Sequence, residues 1–276
     1  MHAGQEPSQA WNGDPIDEAE ALRRLRNGAD PSGQYYAAWW LGRNRTQNPD
    51  AVQLLKEALR QRRARQLGDE VEENAVARNA ARALGKLGAI ADSAIPDLLE
   101  TLNDADHGLR EAAARSLGQL RAQSAIPLLI ERLSSGPEVA GAKEDGSPRM
   151  KEPCDALLEA LGDIGINTPP VVEVLKLFLT HERPVVRSSA CRALLQLTNE
   201  AQWGEAMVAL LQHDQLQVRR AALMDLGATG WRQALPAISN TLAENSLKLI
   251  ALRGLAETAD NTAVDEAILD AMDALL

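Results

Sequence analysis

A leucine recurs along this chain at intervals that allow little besides a repetitive helical structure. In most copies a glycine follows the leucine, and small residues stand three and four positions before it, as in Ala37-Ala38 and Ala80-Ala81. Apolar residues spaced in this way form one face of a helix. The intervals between successive leucines are 43, 33, 44, 33, 32 and 29 residues. These anchor leucines are Leu41, Leu84, Leu117, Leu161, Leu194, Leu226 and Leu255.

Each interval has room for two helices and two turns, because helical repeat arrays use about 30 to 45 residues per unit. Prolines stand where the second helix of a unit would begin, a position at which a missing N–H costs nothing. A single helix pair cannot bury its own apolar face, so the units must stack. The sequence therefore predicts an all-α protein, a right-handed α-solenoid of about seven HEAT-like helix pairs. The prolines are Pro96, Pro127, Pro170 and Pro236.

The array is expected to form a single domain over residues 15–276. Residues 1–14 are polar and lack the apolar core of a signal peptide, so we expect a disordered tail there. The two longest intervals indicate insertions. Residues 134–152 are rich in Gly, Pro, Ser and charge and are predicted to form a flexible loop, and residues 60–73 form a second, charged insertion.

The net charge of −10 narrows the range of partners. Non-specific binding of nucleic acid needs a surplus of cations, as does docking on an anionic membrane, so we expect neither. No window approaches the roughly 18 apolar residues of a membrane span. Cys154 and Cys191 lack the spacing of a zinc site or a disulfide framework, and the histidines are not paired in sequence. We therefore expect no metal and a reducing compartment such as the cytoplasm.

Positions counted back from the anchor leucine have consistent chemistry. Six and two residues before the leucine, most copies have charged residues, so this stripe is expected to face water. Seven residues before it, Arg110, Arg187 and Arg219 recur, with Lys248 in the last copy. Repeated cations of this kind are expected to brace one repeat against the next.

The first repeat departs from the pattern, because half of the chain's aromatic residues lie in one stretch at 35–40. Tyr36 and Trp40 occupy a column of small residues and are predicted to seal the end of the array. Tyr35 and Trp39 occupy the stripe that is charged elsewhere. An exposed aromatic pair is typical of a contact with a flat apolar ligand or with a partner protein.

Four further residues complete the candidate site. Arg43 and Arg45 follow the aromatic stretch within two turns and are suited to pairing with carboxylates of a ligand. Asp225 replaces a small residue, which suits a proton donor with a raised pKa or, alternatively, a bridge to the neighbouring repeat. Trp231 follows just beyond the same helix and is a candidate ligand contact.

Three segments resemble a known protein family. They are YYAAWWLGRNR at 35–45, VRRAALMDLGATGW at 218–231 and SLKLIALRGL at 246–255. These segments look like the E subunits of the E/F-type phycobilin lyases, and the resemblance extends from about Ile16 to the C-terminus. It implies a heterodimer with an F-type subunit, also built of HEAT-like repeats. It also implies a location in the cytoplasm of cyanobacteria, near the phycobilisomes.

The activity implied by this resemblance is bilin attachment. Such a lyase joins phycocyanobilin through a thioether to a cysteine of the phycocyanin alpha subunit, and it also detaches or transfers the bilin. The bilin is then a substrate, and no cofactor is expected. Tyr35 and Trp39 would stack on the bilin. Arg43 or Arg45 would hold a propionate, and Asp225 is the candidate proton donor.

The sequence also allows a second function, that of a non-catalytic HEAT-repeat scaffold for protein interactions in phycobilisome assembly. Tyr35 and Trp39 would then contact a protein, and no bilin would bind. A chromophore attachment assay separates the two functions, because a scaffold leaves the acceptor protein colourless.

Overall fold

The computed structural model describes residues 16–62, 74–147, 149–257 and 266–276. Within these ranges the chain forms α-helices joined by turns and short 3₁₀ segments, and its one β-bridge joins Lys143 to Met150. The helices are α1 (Glu18–Arg26), α2 (Pro31–Arg43), α3 (Pro49–Arg60), α4 (Ala75–Leu87), α5 (Ile95–Thr101), α6 (His107–Gln119), α7 (Ile126–Leu133), α8 (Cys154–Ile164), α9 (Pro169–Leu177), α10 (Pro184–Thr198), α11 (Ala201–Leu210), α12 (Leu216–Thr229), α13 (Leu235–Asn240), α14 (Asn245–Glu257) and α15 (Glu266–Asp273).

The helices form two layers. The even-numbered helices from α2 to α14 each contain one anchor leucine, and all seven leucines are buried. Each of these inner helices packs on the next inner helix along the chain, while the odd-numbered outer helices cover their other side. The described residues therefore form seven outer–inner pairs, α1–α2 to α13–α14, followed by α15. This arrangement confirms the predicted α-solenoid of about seven helix pairs.

The inner helices approach one another closely because small residues meet at their contacts. A Cβ added to Gly42 of α2 would lie 2.8 Å from Cα of Ala83 on α4, and one added to Gly118 of α6 would lie 2.9 Å from Cα of Ala160 on α8. Successive outer helices touch much less. Since the inner layer is the tighter one, the array curves with the inner helices on its concave side.

The recurring cations seven positions before the anchors are braces, but only Arg110 and Arg219 reach the next repeat as predicted, whereas Arg187 and Lys248 bind within their own helix pair. Arg110 donates to the carbonyls of Asp104 and Ala105 in the preceding turn and to that of Lys151. Arg187 and Arg219 also donate to carbonyls of the turn before their helix, and Lys248 donates to Ser239 O at 3.0 Å. Each brace satisfies carbonyls that the turn leaves without partners.

The insertion at 134–152 is attached to the repeats that flank it. Glu152 forms ion pairs with Arg110 at 3.2 Å and with Arg132 at 2.9 Å, and Met150 is buried. The flexibility expected for this segment stays a prediction. The expected tail at 1–14 lies outside the described residues, as does most of the charged insertion at 60–73.

Candidate functional site

Helix α2 presents its aromatic residues outward because its other face is fixed in the core. Asp30 caps the helix by accepting a hydrogen bond from Gly33 N at 2.9 Å, and Pro31 occupies the first turn. Ala37, Ala38 and Leu41 are fully buried. The residues between them on the helix surface must therefore point away from the core.

Three aromatic side chains are exposed on α2. Tyr35 and Tyr36 are each 44% exposed and Trp39 is 40% exposed. The rings of Tyr36 and Trp39 stack with centroids 5.3 Å apart, and the guanidinium of Arg43 lies 5.7 Å from the Trp39 ring, within cation–π range. The predicted exposure of Tyr35 and Trp39 is confirmed, and Tyr36 joins them.

The prediction that Tyr36 seals the first repeat was wrong, whereas Trp40 is partly buried and packs against the core. In later repeats the equivalent column faces the preceding inner helix, as shown by Asn79 of α4, whose side chain donates to Tyr35 O at 3.2 Å. Among the residues that the structure describes, no inner helix precedes α2. Its column is therefore left open, and Tyr36 turns onto Trp39 instead.

The residues six before, two before and two after each anchor leucine line up along the concave side, and we call this set the concave ridge. On α2 the ridge consists of Tyr35, Trp39 and Arg43. On the central helices it is a network of charges. Arg115 of α6 pairs with Glu159 of α8, and Arg192 of α10 pairs with Glu159 at 3.2 Å.

The prediction that this stripe faces water was therefore wrong at the centre of the array. Glu159 is buried between Arg115 and Arg192, which themselves are only partly exposed. Burial raises the pKa of Glu159 to about 7, although both arginines act in the opposite direction. The stripe turns inward here because charges on adjacent helices neutralise one another, which removes the need for water.

Asp225 belongs to the same network. It is 5% exposed, accepts a hydrogen bond from Ser188 Oγ at 2.6 Å and lies 3.6 Å from Arg192. Burial raises the pKa of its carboxyl, with Arg192 opposing the shift. This geometry matches the predicted bridge between repeats, since the side chain joins α12 to α10. The proton-donor role of Asp225 stays a prediction.

A hollow of about 1390 Å³ opens at the carboxyl ends of the inner helices. Arg45, after α2, and Trp231, after α12, both border it, so the curvature of the array brings the ends of distant repeats to one space. The indole of Trp231 is held in place by Gly204, where an added Cβ would lie 2.6 Å from the ring. Between them the wall is formed by the ends of α6, α8 and α10, including Arg121, Asp163 and Asn199.

The structure thus places Asp225 in the buried charge network and the candidate ligand contacts in three other positions. Tyr35, Trp39 and Arg43 form a ridge on α2, and Arg45, two residues beyond Arg43, leads from that ridge to the hollow. Trp231 stands on the hollow's far side. Sequence reasoning assigned Tyr36 to the seal and so missed its exposure. It also missed the wall of the hollow between Arg45 and Trp231, because helix ends meet there only through the curvature of the array.

The described residues contain no group of three His, Cys, Asp or Glu side chains that could hold a metal ion. Both cysteines are buried and unpaired, and burial raises the pKa of the Cys154 thiol to about 12 and that of Cys191 to about 11. Neither thiol is therefore ionised at neutral pH. In the part of the chain that the structure describes, no helix has the length and apolarity needed to cross a membrane.

Comparison with known proteins agrees with the repeat architecture and identifies the family. The model of PBS lyase HEAT-like repeats matches residues 34–61 and 218–244, and that of HEAT repeats matches 65–144. The bilin biosynthesis protein RpcE of Synechococcus sp. (strain WH8020) is 48% identical over 99% of this chain and 100% of its own length. The phycocyanobilin lyase subunit alpha of Picosynechococcus sp. is 42% identical, with 93% of this chain and 95% of that protein covered.

The chain belongs to the family of phycocyanobilin lyase alpha subunits. A solved structure supports the same assignment. This is the complex of CpcE and CpcF of phycocyanin lyase from Nostoc sp. PCC7120, in which the matching chain is 41% identical with a TM-score of 0.83, covering 99% of this chain and 100% of that one.

Proposed function

We propose that this chain is the alpha subunit of a two-subunit phycobilin lyase that attaches phycocyanobilin to a cysteine of the phycocyanin alpha subunit. The observation that carries the proposal is the exposed Tyr35–Trp39 pair on α2, on the helix whose C-terminal end leads to Arg45 and the hollow that Arg45 borders. Ligand pockets in proteins usually measure about 300 to 1,000 Å³, and the hollow exceeds that range. Family membership supports the same activity.

The ligand chemistry suits the concave side. A bilin is long, flat and conjugated, so its rings can stack on Tyr35 and Trp39, while each of its two propionates needs a cation. Arg43 lies over Trp39 and Arg45 borders the hollow, so both can meet a propionate at the edge of a stacked ring. The partner is an F-type subunit, and the setting is the cytoplasm of a cyanobacterium.

The bond-forming step demands little covalent chemistry from this chain. The acceptor's cysteine thiolate adds to the ethylidene carbon of ring A, a C–S bond forms, and the electrons of the C=C bond take up a proton. The sum is addition of S–H across the double bond. Since the sulfur comes from the acceptor, the inert state of Cys154 and Cys191 is no obstacle. The chain's role is to hold the bilin in position and to exclude competing orientations.

The test is co-expression of the chain with an F-type subunit, the phycocyanin alpha subunit and phycocyanobilin, followed by zinc-induced fluorescence of the denatured acceptor. We expect a covalently coloured acceptor that disappears when either lyase subunit is left out. A colourless acceptor, with the two subunits still associated on gel filtration, would instead indicate the scaffold function.

A further inference from the structure

Several cations on the concave side have no partner among the described residues. Arg82 and Lys86 of α4 and Arg121 after α6 are exposed, and none of them lies within hydrogen-bonding or ion-pair distance of a described residue through its side chain. By contrast, Arg115 and Arg192 on the neighbouring part of the ridge are each paired with two or more carboxylates. In a chain of net charge −10, unpaired cations gathered in one region are unexpected.

Two of these cations, Arg82 and Lys86, lie on α4 beside the aromatic part of the concave ridge on α2, which we call the aromatic ridge. The side chain of Lys86 crosses α2 at Gly42, where an added Cβ would lie 3.6 Å from Lys86 Cδ. Lys86 and Arg43 both stand two residues after the anchor leucine, on inner helices that pack against each other, so the two positive residues are neighbours along the concave ridge. Like charges repel, and an anion between them would remove the repulsion.

Helix dipoles do not account for this placement. Cations are favoured in the last turn of any helix, because the unpaired carbonyls there are negative. Arg43 and Lys86 occupy the last turns of α2 and α4, but the last turns of α8, α10, α12 and α14 have no basic residue. The cations are therefore a property of the first repeats, where the aromatic residues lie.

The backbone gives a second, independent observation. The residue four positions after the anchor leucine is Gly88, Gly165 or Gly230 in three repeats, and each has a positive φ. Arg45 and Arg121 stand at this same position with φ of 48° and 51°. Residues with a Cβ are strained in this conformation, and glycine is not. Both arginines border the hollow, so a strained backbone presents a cation to it twice.

We infer that Lys86, Arg82 and Arg121 extend the aromatic ridge into a carboxylate-binding edge, together with Arg43 and Arg45. The ligand is a flat, extended, conjugated molecule with two carboxylates, one bound at the neighbouring ridge positions of Arg43 and Lys86 and the other between Arg45 and Arg121 at the hollow. This inference rests on the proposed function and names the chemical feature of the bilin that the chain recognises.

The test compares phycocyanobilin with its dimethyl ester, which keeps the conjugated system and removes both negative charges. Binding is measured for the complex of the full chain with its F-type subunit, by bilin absorbance and tryptophan quenching. We expect the wild type to bind the acid about tenfold or more tightly than the ester, since charge-assisted hydrogen bonds are worth over 1 kcal/mol each.

Two variants remove charges without disturbing the fold. Arg121→Gly suits the left-handed backbone, and Lys86→Gln keeps the exposed stem. We expect the double variant to bind the acid about tenfold more weakly, with affinity for the ester unchanged. Lys176→Gln on outer helix α9 is the matched control, because Lys176 is also exposed, and it should change neither affinity.

Each outcome has a distinct meaning. Equal weakening for acid and ester, or no weakening for the acid, would overturn the carboxylate-binding edge while leaving the proposed function intact. If the wild type binds neither compound, the proposed function fails and this inference with it. If the double variant binds the acid normally but separates from the F-type subunit, the cations belong to the interface between the subunits and the inference is wrong.

Discussion

The concave ridge uses equivalent positions of the repeat in two different ways. On α6, α8 and α10 the charged residues of the ridge form ion pairs between helices, and Glu159 pairs with both Arg115 and Arg192. On α4 Arg78 also pairs, with Asp106, but the other ridge positions of α2 and α4 hold exposed aromatic rings and cations, among them Trp39 and Lys86. A surface whose groups pair with one another stabilises the array, and one whose cations have no ion-pair partner among the described residues is available to a ligand. The difference separates the part of the ridge that holds the fold from the part that binds.

The largest expected effect tests the part of the concave ridge in which the charges of α6, α8 and α10 form ion pairs. Arg192→Ala leaves Glu159, Asp163 and Asp225 without their shared cation. Breaking a buried ion pair by removing one partner costs about 3 to 5 kcal/mol, so the free energy of unfolding in urea should fall by about that amount. Arg82→Ala, two residues before its own anchor leucine as Arg192 is, should change it by less than about 0.5 kcal/mol. Equal losses would contradict the division of the ridge.

A second comparison sets neighbouring tryptophans of α2 against each other. Trp40 packs on the core, so Trp40→Ala should lower the free energy of unfolding by about 3 kcal/mol. Trp39 is exposed, so Trp39→Ala should cost less than about 1 kcal/mol and should lower chromophore attachment more than Trp40→Ala does. Thermal melts and attachment rates check both. Matching melting losses with unchanged attachment would refute the assignment of the two columns.

The buried carboxylate of Glu159 predicts a pH dependence with a definite sign. Its pKa is about 7 in the folded chain and 4.5 for an unperturbed group. Between these values the folded state keeps a proton that the unfolded state has released, so the contribution of Glu159 to stability declines as the pH rises from 4.5 to 7. The stability difference between wild type and Glu159→Gln should therefore shift by roughly 2 kcal/mol across this window.

The variant is needed because two histidines act in the opposite direction. Burial lowers the pKa of His107 and of His181, so their contribution to the free energy of unfolding is lost as the pH falls. Their contribution is common to wild type and Glu159→Gln and cancels in the difference. A difference that stays constant from pH 4.5 to 7.5 would show that Glu159 is already ionised at the acid end.

The smallest expected effect concerns the strained arginine. Arg121→Gly places glycine where the backbone is left-handed, so the free energy of unfolding should rise by about 0.5 to 1 kcal/mol. Arg115→Gly, within a regular helix of the same repeat, should lower it. A lower stability for Arg121→Gly would show that the arginine side chain supports the fold.

The sequence predicted the fold well because the same residue pattern recurs in successive repeats. Anchor leucines, small neighbours and bracing arginines recur often enough to give the helix layers and the exposure of Tyr35 and Trp39 before any coordinates. The predictions were wrong at positions whose exposure depends on residues of other repeats. Tyr36 is exposed because no inner helix precedes α2 in the described part of the chain, and Glu159 is buried because cations of two other repeats reach it.

The hollow could not be predicted for the same reason. Arg45 and Trp231 are separated by five repeats and border one space only because the array curves. Curvature accumulates from small rotations at each Gly–Ala contact, and no single segment encodes it. The cations of α4 and the strained Arg121 also could not be assigned to a site from the sequence, because their position relative to the aromatic ridge is seen only in the folded array.

The most direct test of the account is the rate of phycocyanobilin attachment by two variants matched in position and exposure. Trp39 on α2 and Met224 on α12 stand two residues before their anchor leucines, and each is 40% exposed. With the F-type subunit and the acceptor present, Trp39→Ala should slow attachment by about fivefold or more, since stacking on an aromatic ring is worth about 1 kcal/mol or more. Met224→Ala should stay within twofold of the wild type. Equal rates for the two variants would contradict the claim that the first repeat holds the chromophore.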